Sequence, residues 1–133
     1  MIGILVVTHA DLGKALIETI EFILGKKEEN LTPVSINIQE DPNSLRKKIK
    51  KSISKVSGED GVIILTDMFG GTPSNLSYSL MEEGKVEVIS GVNLPILLKA
   101  VNSRSRMDMD TLTAALVDHG KKSISLASDI LNG

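Results

Sequence analysis

Hydrophobic and polar positions alternate between two rhythms along this chain, short continuous apolar runs and longer stretches with apolar residues every third or fourth position. Ile2 to Val7 is one continuous run, the pattern of a strand buried on both faces of a parallel sheet. From about Asp11, a candidate N-cap, Leu12, Leu16, Ile20, Ile23 and Leu24 share one helical face, and Gly25 ends the helix. Thr32 to Ile38 predicts a second strand. Asp41-Pro42 then opens a helix carrying Leu45, Ile49, Ile53 and Val56, closed by Gly58.

The clearest strand is the third, Gly61 to Thr66. A helix is expected from Thr72 or Pro73 to about Glu83, then a strand from Val86 to Ser90. Asn93-Leu94-Pro95 opens a helix over Ile96 to Asn102, and a polar stretch around Arg104 to Asp108 leads to another, from about Asp110 to His119, closed by Gly120. Ser123 to Ser128 alternates Ile124 and Leu126 with serines and predicts a last, half-exposed edge strand. Strands alternating with helices predict an α/β fold: a doubly wound, flavodoxin-like, mostly parallel sheet of order 2-1-3-4. The 133 residues form one domain, with no linker, repeat or low-complexity tract.

Composition narrows the function classes. Aromatic residues are 2% of the chain and Trp is absent, so stacking recognition of bases or sugars is poorly supplied. A net charge of -2 argues against nucleic-acid binding, which needs a strong positive field. With no Cys and two widely separated His there is no zinc constellation, no disulfide and no thiol nucleophile. No apolar run approaches the roughly 18 residues that span a bilayer. Met1-Ile2-Gly3-Ile4 lacks the charged start of a signal peptide, and a cytoplasmic protein without direct membrane insertion is expected.

Candidate chemistry lies where two strands end. His9 follows strand 1 and Asp67 follows strand 3, neighbours in the expected order, with the winding reversing between them. Strands lie roughly 4.8 Å apart, so the two side chains are within reach of each other. Alone, His9 reads most simply as a packed histidine capping a strand. A carboxylate accepting the proton of one ring nitrogen changes that, because it fixes the tautomer and leaves the other nitrogen free to attack.

Gly70-Gly71 then supplies a turn where backbone approaches a ligand. Thr72-Pro73 reads as N-cap and first helical residue, so Gly70, Gly71, Thr72 and Ser74 are the candidate cradle for a phosphoryl group. A well-formed turn without a ligand accounts for the glycines alone equally well. The P-loop and dinucleotide fingerprints are both missing, which leaves no nucleotide and no cofactor. Asp67 is not a receiver-type phospho-acceptor, since Thr8-His9 stands where the Mg²⁺-holding acidic pair would be. His119 reads as a favourable charge at a helix C-terminus. The run Arg46-Lys47-Lys48-Ile49-Lys50-Lys51 reads as a solvated helix face, with an acidic partner surface as the lesser alternative.

Assembled, Val7-Thr8-His9, the segment Asp67-Met68-Phe69-Gly70-Gly71-Thr72-Pro73-Ser74-Asn75 and Gly91-Val92-Asn93-Leu94-Pro95 resemble the mannose-family IIA domain of the bacterial sugar phosphotransferase system. The likeness covers the whole chain. Dihydroxyacetone-kinase phosphotransfer subunits share the implied fold, but carry a Gly-Ser-Ala type segment in place of Gly-Gly-Thr-Pro. The resemblance implies that His9 accepts a phosphoryl group from phospho-HPr, with Asp67 as its partner, and passes it to a IIB protein that phosphorylates sugar entering through a membrane permease. It also implies a homodimer in which the C-terminal strand is an antiparallel edge strand added to the partner's sheet. With no linker before Gly133, the IIB component is expected on a separate polypeptide. A phosphorylation-dependent regulatory protein, uncoupled from transport, is the alternative that the residues leave open.

Overall fold

The structure is a computed structural model that describes residues 1–132. Its sheet has four parallel strands, β1 (Gly3–His9), β2 (Leu31–Ile36), β3 (Val62–Thr66) and β4 (Val86–Ser90), in the order β2-β1-β3-β4. The expected order is therefore the observed one. Six helices connect and follow the strands: α1 (Leu12–Leu24), α2 (Pro42–Val56), α3 (Thr72–Tyr78), α4 (Leu94–Ser103), α5 (Met109–Lys122) and α6 (Ala127–Leu131).

The two central strands alternate their side chains between two apolar layers. Ile4 and Val6 of β1, with Ile63 and Leu65 of β3, pack against α1, α4 and α5. Leu5 and Val7, with Val62 and Ile64, pack against α2 and α3. Burial on both faces is why these runs lack polar alternation. Pro33 is tolerated in β2 because that strand lies at the edge and has only β1 to pair with. Register sets Val7 opposite Thr66, so β1 runs two residues past the end of β3 and their exit loops share one edge of the sheet.

Most helix starts follow local chemistry. The side chains of Asp41, Asn93 and Asp108 accept from the N–H groups of Ser44, Ile96 and Thr111 at 3.0, 2.8 and 2.8 Å. Helix α1 departs from expectation. Asp11 is the N-cap residue but its side chain makes no capping bond; instead the buried Thr8 hydroxyl accepts from Gly13 N–H at 2.8 Å, while Asp11 accepts from Ser35 Oγ. Ala10, at φ 48, folds the chain back tightly enough for Thr8 to reach.

Three other boundaries are corrected. Helix α3 stops at Tyr78, not Glu83, because a turn at Gly84 brings Val86 N–H back onto Glu82 O at 2.8 Å. Gly120 does not close α5, which continues to Lys122; a Cβ there would lie 2.5 Å from Ile96 Cδ1, so the glycine serves close packing against α4. The edge strand expected over Ser123 to Ser128 is absent. Ser123 caps α5, and the short helix α6 follows with Ile124, Leu126, Ile130 and Leu131 exposed. A strand needs a neighbour to pair with, and within one chain this segment reaches none.

The polar stretch after α4 holds one surprise, since Arg104 is 3% exposed. Its guanidinium donates to Asn30 O at 2.9 Å and Glu29 O at 2.6 Å, pinning the approach to β2. Burial draws its pKa down, opposed by the nearby Glu28 and Glu29 carboxylates.

Candidate functional site

His9 is the last residue of β1, and Asp67 follows the last residue of β3. One carboxylate oxygen, Asp67 Oδ2, lies 2.7 Å from His9 Nδ1 and accepts the His9 backbone N–H at 3.0 Å. The other, Oδ1, accepts Met68 N–H at 3.0 Å. The imidazole is 40% exposed and the carboxylate 12%. Burial works to raise the Asp67 pKa, but hydrogen bonds from the His9 ring and backbone, the His9 charge and the Met68 N–H outweigh it and hold the carboxyl below its ordinary value. An ionised carboxylate can only accept, so the ring proton belongs on Nδ1 and the lone pair on Nε2.

Gly71 lies against the ring edge. A Cβ at Gly71 would sit 2.8 Å from His9 Cε1 and 3.3 Å from Nε2, so no side chain fits where this backbone passes. Gly70 makes the preceding turn at φ 88, a conformation that favours glycine. Helical hydrogen bonding in α3 begins with Asn75 N–H donating to Gly71 O at 2.9 Å. Ahead of it stand the N–H groups of Thr72 and Ser74, and Pro73, which has none.

The structure thus gathers His9, Asp67, Gly70, Gly71 and Thr72 at one edge. Ser74 departs from the expectation that its hydroxyl faces a ligand. Its side chain is fully buried, donating to Met68 O and lying 2.7 Å from Thr66 Oγ1 and 3.2 Å from Ser90 Oγ. Thr66 and Ser90 end adjacent strands, and their hydroxyls give Ser74 an inward partner that the spacing around Gly-Gly-Thr-Pro does not reveal. Thr8, Thr66, Ser90 and Tyr78 are the site-supporting residues that sequence reasoning missed; for the first three, hydroxyls at or next to strand ends were the signal available, while Tyr78 ends α3. His119 lies in the last turn of α5, the helix end where it is expected.

On the β2 side of His9 an open groove of about 580 Å³ runs past Ile36, Ile38 and Lys48. Leu12, Ile38, Met68 and Phe69, from the loops and helix start at the same edge, are exposed apolar residues. Among the described residues no helix is long and apolar enough to cross a membrane, and no three His, Cys, Asp or Glu side chains are grouped to hold a metal ion.

Fold and site together define a flavodoxin-like α/β protein with a carboxylate-oriented histidine at the switch point of its sheet. The chain belongs to the family described as EIIA-man, PTS system fructose IIA component, which it matches over residues 3–117. It is 32% identical over 132 residues to the fructose-specific EIIA component of Bacillus subtilis (strain 168), covering 98% of this chain and 90% of that one. It is 30% identical over 125 residues to the mannose-specific EIIAB component of Escherichia coli (strain K12), covering 92% of this chain but only 38% of the longer relative. The crystal structure of phosphotransferase system component EIIA from Streptococcus agalactiae is similar at a TM-score of 0.86 and 27% identity, covering 97% of this chain and 99% of that one. Membership makes this chain a phosphotransferase-system IIA component. It implies phosphotransfer activity and is consistent with phosphoryl carriage for sugar uptake.

Proposed function

We propose that His9 is the phosphoryl-accepting residue, taking the group from phospho-HPr and passing it to a IIB protein. The observation that carries this is the 2.7 Å contact between Asp67 and Nδ1, which leaves Nε2 as the nucleophile. In the first half-reaction the donor's P–N bond breaks, its imidazole keeping the electron pair, as the Nε2–P bond forms. The second half-reaction is the same exchange with His9 as the leaving group. Both ends are phosphohistidines, so transfer is close to thermoneutral, and catalysis consists of positioning and charge stabilisation. Asp67 holds the Nδ1 proton throughout and offsets the cationic character that phosphorylation gives the ring. The backbone of Gly70, Gly71 and Thr72, with the Ser74 N–H, would face the phosphoryl oxygens. The exposed side chains of Leu12, Ile38, Met68 and Phe69 offer an apolar rim against which a protein partner can exclude water.

Incubation with phosphorylated HPr, followed by peptide mapping, tests the assignment. The chain has two histidines, and the label is expected on His9. Label on His119, or none at all, would sink it.

The same reading includes a homodimer. Among the described residues no strand pairs with the outer edge of β4, which is met only by the single Glu82–Val86 bridge at its start, and the segment after α5 carries four exposed apolar side chains. A second copy adding this segment to β4 would cover both. Sedimentation should show a dimer that becomes monomeric when residues 123–133 are removed; a monomeric full chain would refute it.

A further inference from the structure

Behind the loop that carries Asp67, four hydroxyl groups meet between β3, β4 and α3. Thr66 Oγ1 lies 2.7 Å from Ser74 Oγ and 2.8 Å from Ser90 Oγ, and Ser90 Oγ lies 2.7 Å from the hydroxyl of Tyr78, the only tyrosine in the chain. Thr66 and Ser74 are fully buried. Their protons can be followed, because a carbonyl only accepts. Ser74 must donate to Met68 O, so toward the other hydroxyls it can only accept. Thr66 donates to Ser90 Oγ, and with Tyr78 also donating to Ser90 the single Ser90 proton is left for Ser74, 3.2 Å away. Every proton then runs toward Met68, an arrangement in which each bond polarises the next.

Met68 is consequently held from both sides. Its C=O is bound by Ser74, and its N–H donates to Asp67 Oδ1. The same loop is fixed two residues earlier, where Gly91 and Val92 N–H donate to Thr66 O at 3.0 and 2.9 Å. A continuous set of contacts therefore runs from the Tyr78 hydroxyl through Ser90, Ser74 and Met68 to the carboxylate that touches His9 Nδ1.

We propose that Ser90, acting with Tyr78, Thr66 and Ser74, is a positioning residue for Asp67, holding the carboxylate in line with Nδ1 of His9 through the clamped Met68 peptide groups. Its kinetic consequence rests on His9 being the phosphoryl acceptor, but its structural consequence does not. Ser90 touches neither the phosphoryl group nor His9. Removing its hydroxyl leaves Tyr78 without its partner and Ser74 without that donor, and the loop is free to shift by the few tenths of an ångström that the Asp67 contact cannot absorb.

The test compares wild type, Ser90→Ala, Ser90→Thr and Tyr78→Phe in the full-length chain. In unphosphorylated protein, the Nδ1–H proton resonance of His9, read by ¹H–¹⁵N NMR, should move upfield and broaden in Ser90→Ala and return in Ser90→Thr. With phosphorylated HPr as donor, the maximal transfer rate of Ser90→Ala should fall about tenfold, the lower end of what losing an outer-shell partner costs, with KM for the donor unchanged. Tyr78→Phe should shift the resonance in the same direction. It loses one oxygen and no packing, so it decides the matter if Ser90→Ala is poorly folded. An unchanged Nδ1–H resonance in well-folded Ser90→Ala or Tyr78→Phe overturns the proposal, as does a loss that Ser90→Thr does not rescue. If wild type accepts no phosphoryl group, the assignment of His9 fails, while the resonance still decides the role of Ser90.

Discussion

Replacing Asp67 by Asn should leave the sheet intact and lower phosphoryl transfer through His9 by roughly 10²-fold or more, on the scale of losing an acid–base partner. The amide is nearly isosteric, and its oxygen can still accept from the His9 backbone. Its NH₂ group, however, can present a donor to Nδ1, which would drive the ring proton to Nε2 and silence the nucleophile. Single-turnover transfer from phosphorylated HPr measures this directly, and wild-type rates would reduce Asp67 to a loop anchor.

The same substitution has a signature in stability. The folded pKa of Asp67 is depressed, so at low pH the unfolded chain binds more protons at this residue than the folded one. The stabilisation is complete above the unfolded carboxyl value, near 3.9, and is lost as pH falls through the lower folded value. The stability gap between wild type and Asp67→Asn should therefore be constant at neutral pH and shrink below about pH 4. Urea titrations at several pH values would show it; a gap that widens in acid has the wrong sign for this site.

The second large effect is expected from Gly71→Ala. At φ -90 and ψ 171 the backbone accepts any residue, so the turn has no reason to fail. The added methyl would instead meet His9 Cε1 at 2.8 Å, and the ring must give way because the other side is the start of a helix. A displacement of about 1 Å is enough to cost roughly 10²-fold in rate. Thermal stability should change little, since the half-exposed imidazole can move toward solvent. A variant that transfers normally would mean that the ring's resting place and its reactive position differ.

Much of this architecture is legible in the sequence because it depends on burial. The unbroken apolar runs before His9 and Asp67 admit few explanations other than central parallel strands, and adjacent central strands bring their exit loops together. Residues whose role depends on what comes alongside them are harder to read. Ser123 to Ser128 has the alternation of a strand, yet pairing is a property of two segments, and one chain supplies only one. Gly120 looks like a helix terminator because glycine often is one, but here its missing side chain makes room for Ile96. Ser74 stands where hydroxyls commonly face an anion. Only the meeting of Thr66 and Ser90 at the ends of neighbouring strands turns it inward.

The pairing of His9 with Asp67 has a consequence for traffic. One carboxylate oxygen binds both the ring and the backbone of His9, so the imidazole presents a single nitrogen in a single direction. In the proposed role of His9, a carrier with one such berth cannot host donor and acceptor together. The first must leave before the second arrives, and each round of delivery waits on a departure. Throughput then favours partners that hold loosely and release quickly. The broad but shallow apolar rim around His9 suits visitors of that kind better than permanent occupants.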